Sequence, residues 1–209
     1  MKQARLGFAL LVLSLSTLLN ATHFIKNDLT NNKASVIIED IGDELYSKTG
    51  INAYVVATNE RFPVGLNLVE HSKRYESNMS KPFVLLIFAP NALITAKSQA
   101  KGRVGLITSS SDIGELYNSS DVKDATIDVV AAKDKNSKKD KYTIGIVQGY
   151  SELADQIAST KGVEMTKTLP NETRTIIGYI KYLVLLGSAM VLWIFLIRPI
   201  VMRIKNGKK

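Results

Sequence analysis

The sequence predicts an α/β domain, a small mixed β-sheet flanked by helices, followed by one C-terminal transmembrane helix. Three observations lead there. Residues 83–89 read Phe-Val-Leu-Leu-Ile-Phe-Ala between Pro82 and Pro90, an uncharged run too short for a membrane span and suited to a strand buried on both faces. Stretches of helical periodicity alternate with strand-like runs, the pattern of an α/β sheet. Residues 176–197 are apolar apart from Lys181 and long enough to cross a bilayer.

In chain order, Lys2 and Arg5 precede an apolar run at residues 6–19 and then Asn20-Ala21. That run falls short of the ~20 residues of a spanning helix, so residues 1–21 read as a signal peptide cleaved near Ala21, with an N-terminal anchor as the alternative. Residues 22–33 are a polar, extended linker, and residues 34–160 form the domain. Its first helix, 34–48, puts Ala34, Ile37, Ile38, Ile41 and Leu45 on one stripe, with Gly50 as its left-handed cap. Glu39, Asp40, Asp43 and Glu44 lie off that stripe, as on a solvated face.

The strand at 51–58 follows, and then a helix at about 67–78 opened by Asn67 and Glu70, with Leu68, Ser72, Tyr75 and Met79 inward. A helical crossover makes this strand parallel and right-handed to 83–89. The run 103–108 returns antiparallel to 83–89 through a long exposed loop. Ser109, Ser110, Ser111 and Asp112 start a short helix to about Tyr117. Ser120 or Asp121 caps another, with Val122, Ala125, Val129 and Ala132 aligned. Residues 133–141 are a solvated connector. A last helix, 142–159, aligns Ile146, Tyr150, Leu153 and Ile157.

Residues 161–175 are a linker, flexible enough over its length to reach on the order of 20 Å. The membrane helix, 176–197, is followed at 198–209 by a basic tail without acids, which the positive-inside rule places in the cytoplasm. The domain then lies in the periplasm, outside the cytoplasmic (inner) membrane. The formal charge of +8 resides in the flanks, since residues 22–172 carry 18 Lys and Arg against 19 Asp and Glu. Such a balance argues for contact with the lipid bilayer and against nucleic acid. With no cysteine, disulfides, thiol catalysis and Cys-ligated metals are excluded.

Chemistry-bearing motifs are sparse. No phosphate loop, nucleophile elbow or zinc-protease motif is present. His23, near the processed terminus, and His71, on a helix face, have no metal-ligand spacing and read as surface residues. The best candidate metal ligands are Asp112, Glu115 and Asp121, where a strand end meets helix starts and oxygens suit a weakly held Ca²⁺; helix capping explains the same residues. No catalytic residue and no cofactor is assigned. In the membrane helix, Gly187-Ser188-Ala189 is a small-residue patch suited to a partner helix.

The order of elements resembles the TPM domain family over residues 34–160. The resemblance rests on Thr49-Gly50 followed by Ile-Asn-Ala-Tyr-Val-Val-Ala-Thr, on the apolar central strand 83–89, on its partner at 102–109, and on the closing helices with Tyr142-Thr-Ile-Gly-Ile-Val-Gln-Gly-Tyr150. A leader before and a membrane helix after are a common family layout. The chain departs from the family where acidic motifs are usual: Pro90-Asn91 replaces Asp-Arg, and 109–117 replaces a Gly-rich acidic stretch, leaving Asp121 as the heir to its acid. The resemblance implies a TPM-like fold and, with those motifs gone, a non-catalytic accessory, assembly or stability factor for an integral membrane protein complex. A metal-assisted TPM-type phosphatase and a calcium-binding module are the alternatives it implies.

Overall fold

The computed structural model describes residues 22–95, 97, 99–170, 183–199, 201 and 202, and the leader read at 1–21 lies outside them. Two compact units divide the chain, one ending at Leu169 and one beginning at Pro170. The first is a mixed sheet with helices: β1 (Phe24–Asn27), α1 (Asn32–Thr49), β2 (Asn52–Ala57), α2 (Leu68–Ser72, prolonged by a 3₁₀ segment Lys73–Asn78), β3 (Phe83–Leu93), β4 (Lys101–Thr108), α3 (Ser111–Gly114), α4 (Ser119–Ala131) and α5 (Lys138–Thr160).

Strand order is β1-β2-β3-β4. The first three run parallel, and β4 returns antiparallel on β3; of these pairings the sequence predicts β2–β3 and β3–β4. The alternation of side chains along the strands builds two cores. Ala53, Val55, Ala57, Val84, Leu86 and Phe88 face α1 and α5, with Val122 of α4 in the same cluster. Tyr54, Val56, Phe83, Leu85 and Ile87 face Leu68 and Tyr75 of the thin α2 layer. Because β1→β2 and β2→β3 step the same way while their connections cross opposite faces, the two crossovers are of opposite hand. One of them therefore departs from the right-handed rule on which the expected β2–β3 crossover was based.

Several elements differ from expectation, each for a physical reason. The linker expected at 22–33 contains β1, an edge strand whose Phe-Ile-Lys-Asn is too short to show a period. Pro90 lies inside β3 instead of ending it. Its missing N–H falls where pairing with β2 has stopped at Phe88 and the β4 ladder is interrupted between Ala89 and Leu93. The connector at 133–141 already contains the first turn of α5, because Ser137 accepts from the Asp140 N–H and caps the helix.

Of the aligned Val122, Ala125, Val129 and Ala132, α4 buries Val122 and leaves the other three half-buried, and it buries Thr126 instead. The cause is a glycine pair on α5. A Cβ on Gly149 would stand 1.9 Å from Thr126 Oγ1, and one on Gly145 2.5 Å from the Thr126 carbonyl oxygen. Four residues apart, the two glycines share one helix face and let α4 press backbone against α5.

In the second unit, residues 183–192 are helical and Trp193–Ile197 form a π-turn. Their large apolar side chains are exposed, Leu183 at 73% and Phe195 at 72% among them. Residues 176–182 of the run read as a span lie outside the described residues, and among those described no helix is long and apolar enough to cross a membrane.

Candidate functional site

The crossovers after β1 and β2 leave over opposite faces, and the carboxyl ends of two such strands are where open α/β sheets hold ligands. A bulge prepares this corner. Phe24 pairs with Val55 and Lys26 with Val56, so Ile25 is the extra residue. The slip brings Lys26 to the face of Val56, where α2 lies. There the Lys26 ammonium stands 3.3 Å from Asp28 Oδ2 and pairs closely with Glu60, whose other oxygen accepts from Arg74 at 3.1 Å.

Asp28 closes the ends of β1 and β2, accepting from the Asn59 N–H at 3.1 Å and from Thr58 Oγ1 at 3.3 Å. Asn91 at the end of β3 adds a bond from its amide to Asn59 Oδ1 at 2.7 Å. The Glu60 hydrogen bond and the Asp28 contact raise the Lys26 pKa against the opposing effect of burial. Glu60 is lowered chiefly by Lys26. For Asp28, burial pushes the carboxyl up, but the Asn59 N–H, Lys26 and Thr58 together bring it below the usual range.

His71 is not the surface residue its sequence context suggests. It is wedged edge-on between Phe62, with centroids 4.6 Å apart, and Tyr75, at 5.9 Å, beside Arg74. Burial, then the Arg74 charge, hold its pKa down, so it is a neutral ring at physiological pH. Tyr75 has its hydroxyl buried with no hydrogen-bond partner among the described residues. The sequence signals for this corner were Lys26 and Asp28 flanking a strand end and Glu60 after the next. A four-residue strand hid the first pair.

Chemically, the corner is a set of opposed charges each already matched within the chain. Lys26 and Arg74 balance Asp28 and Glu60, and the ammonium fills the gap between the two carboxylates. This suits a clasp between β1, β2 and α2 more than proton transfer. A neutral histidine with aromatic rings on two sides is likewise packed, not poised.

A second polar cluster lies at the start of β1. His23 is 1% exposed; its Nδ1 lies 2.8 Å from the Ala53 carbonyl oxygen and its Nε2 3.3 Å from Asp43 Oδ1. The Tyr150 hydroxyl donates to the same carbonyl at 2.8 Å. Glu39 accepts the backbone N–H groups of His23 and Phe24, at 2.8 and 3.1 Å. The ring fits only because Gly42 lacks a Cβ, which would stand 2.3 Å from His23 Cγ. So Glu39, half-buried, leaves the expected solvated face to hold the edge strand down, while Asp40 and Asp43, the latter 53% exposed, stay on it.

The metal candidates lie on two successive elements, Asp112 and Glu115 at α3 and Asp121 in α4. Asp112 is exposed in the first turn of α3, where its Oδ1 accepts from Ser111 Oγ at 3.2 Å. Glu115 is exposed just after α3, and Asp121 is half-buried in the first turn of α4, whose cap is Asn118 instead of Ser120 or Asp121. Among the described residues no three His, Asp or Glu gather as a metal set. Gly187, Ser188 and Ala189 are exposed on the C-terminal helix, and Ser188 Oγ donates to the Val184 carbonyl at 2.9 Å. A Cβ at Gly187 would meet nothing within 4 Å, so the small-residue patch is open.

No protein-family model matches the chain, and no curated protein is similar to it.

Proposed function

We propose that the chain is a membrane-held, non-catalytic accessory domain that helps assemble or stabilise an integral membrane protein complex from the periplasmic side. The observation that carries the reading is the C-terminal helix, where Leu183, Val184, Leu185, Leu186 and Met190 to Ile197 are all exposed. Apolar side chains exposed all round a helix need lipid or protein around them. The matched charges of the strand-end corner form an internal clasp, and the TPM resemblance supplies the class of partner. The phosphatase and calcium readings lack a gathered ligand set among the described residues.

Reporter fusions after Thr160 and after Lys209 test the topology: opposite compartments are expected, and one compartment for both would end the reading. Recovery of a membrane complex with the intact chain, weakened when Gly187 and Ala189 are replaced by Leu, tests the partner surface.

A further inference from the structure

The linker expected from residue 161 does not start as one. After α5 the chain turns back: the Gly162 N–H donates to the Ser159 carbonyl at 3.0 Å and the Val163 N–H to the Ala158 carbonyl at 2.9 Å. This is a Schellman close, and it needs the left-handed φ of 73° that Gly162 supplies. Val163 and Met165 then pack on the α1–α5 core.

Glu44 of α1 receives the returning segment. Its two carboxylate oxygens accept the Thr166 N–H at 2.9 and 3.1 Å, the Thr166 hydroxyl at 2.7 Å and the Lys167 N–H at 2.8 Å. Lys48 bridges Glu44, at 2.7 Å, to the Glu164 carbonyl, at 2.6 Å. On α5, Asp155 accepts from Thr168 Oγ1 at 2.7 Å, and Ser151 Oγ accepts the Leu169 N–H at 3.0 Å. Four side chains from two helices thus hold successive residues of one strap.

We infer that residues 163–169 are a latch, docked across α1 and α5 through Glu44, that sets how far the domain can stand from the apolar run. Engaged, it leaves six residues, 170–175, before that run begins at Ile176. Fully extended, they span at most about 20 Å. Released, the chain from 161 onward reaches about 50 Å. The latch is therefore a two-position spacer: engaged it shortens the free chain between the domain and that run, and released it lengthens it. The Glu44 grip falls chiefly on backbone N–H groups, with the Thr166 hydroxyl beside them, so it acts on the segment's path. The reach argument rests on the membrane reading above; the docking does not.

Two measurements on the full chain separate these. In the first, hydrogen exchange is followed in detergent for the wild type, Glu44→Ala and, as control, the exposed Glu70→Ala. Glu44→Ala is expected to speed exchange at Thr166, Lys167 and Leu169 at least tenfold while residues 146–158 of α5 are unchanged, and Glu70→Ala to alter neither. Unchanged strap amides, or strap and α5 accelerating together, would overturn the latch. In the second, a dye on Ser77→Cys, a single site because the chain has no cysteine, reports energy transfer to acceptor lipids in bilayers. A broader distance distribution is expected for Glu44→Ala. Identical distributions with transfer present would overturn the spacer role. Absence of transfer in both proteins would sink the membrane reading instead, with the exchange data still deciding the docking.

Discussion

The two faces of the sheet each carry a glutamate that ties a passing segment to the domain, and they do it differently. On the α1–α5 face, Glu44 is 11% exposed and is bound by backbone N–H groups, a hydroxyl and Lys48. On the α2 face, Glu60 is 34% exposed and is bound, among the described residues, by the long side chains of Lys26 and Arg74. Backbone donors arrive already ordered, whereas a lysine and an arginine must give up rotamer freedom in water to make their contacts. The first face is deep and fixed, the second thin and adjustable. That contrast predicts where the molecule is easy to break.

The largest effect belongs to the sheet itself. Leu86 and Ile87 are neighbours on β3, both with no exposure, and point to opposite faces. Truncation to Ala costs about 2–5 kcal/mol, the value depending on how far the surroundings close the cavity. The α1–α5 side is held by long helices, while the α2 side is one short helix and a 3₁₀ turn. Leu86→Ala should therefore fall near the top of that range and Ile87→Ala near the bottom, measured by denaturant unfolding. Equal losses would show that the α2 layer is as stiff as the helical one.

Next comes the α4–α5 seam. Gly149→Ala forces Thr126 or the whole of α4 to move, since the added carbon would lie 1.9 Å from Thr126 Oγ1. Overpacking of this kind costs about 1–3 kcal/mol. The double variant with Thr126→Ser should not recover the loss, because the hydroxyl remains, whereas Thr126→Ala should recover part of it. A Gly149→Ala protein as stable as the wild type would mean that α4 is loosely held.

How much of this was legible beforehand follows the length of the signal. The apolar stripes of α1 and α5 and the run in β3 repeat often enough to be read, and Ile38, Ile41, Leu45, Ile146, Tyr150, Leu153 and Ile157 are all fully buried as their spacing implies. What escaped depends on pairs distant in sequence. Nothing near Glu44 announces that Thr166 and Lys167 return to it, and nothing near His23 announces Gly42. The strap looked like a linker because its polar residues find partners in α1 and α5 that no local pattern encodes. The strand-end corner was missed for a related reason: a bulge in a four-residue strand changes which face Lys26 occupies, and bulges leave no period.

The two glutamates also separate by pH. Burial pushes the Glu44 carboxyl up, but Lys48, Thr166 and the N–H groups of residues 166 and 167 outweigh it and bring the pKa down to about 2, from 4.5. A lowered folded pKa means that the contribution is complete above pH 4.5 and is lost as pH falls through 2. Glu44→Gln should cost about 1.5–3 kcal/mol at neutral pH, the range for hydrogen bonds to a charged group, and should flatten the acid limb of the stability profile. Glu60→Gln should cost no more than about 1 kcal/mol, as for a half-exposed ion pair, and salt should reduce that further. Similar losses from the two substitutions would remove the contrast between the faces.

The smallest effect is the most diagnostic of the thin face. Tyr75 is 9% exposed, and its hydroxyl is buried without a hydrogen-bond partner among the described residues. Burial raises its pKa, with the Arg74 and Lys26 charges opposing, so the phenol stays neutral across the physiological range. A buried polar atom that makes no bond has lost its water without replacement, and removing it relieves that cost. The ring itself still packs on His71 and under the Arg74 guanidinium, 5.3 Å from its centroid. Tyr75→Phe keeps those contacts and deletes only the oxygen. The expected result is a stability equal to the wild type or higher by up to about 1 kcal/mol. A loss of that size would mean that the hydroxyl does find a partner, and that the α2 face is better satisfied than its geometry indicates.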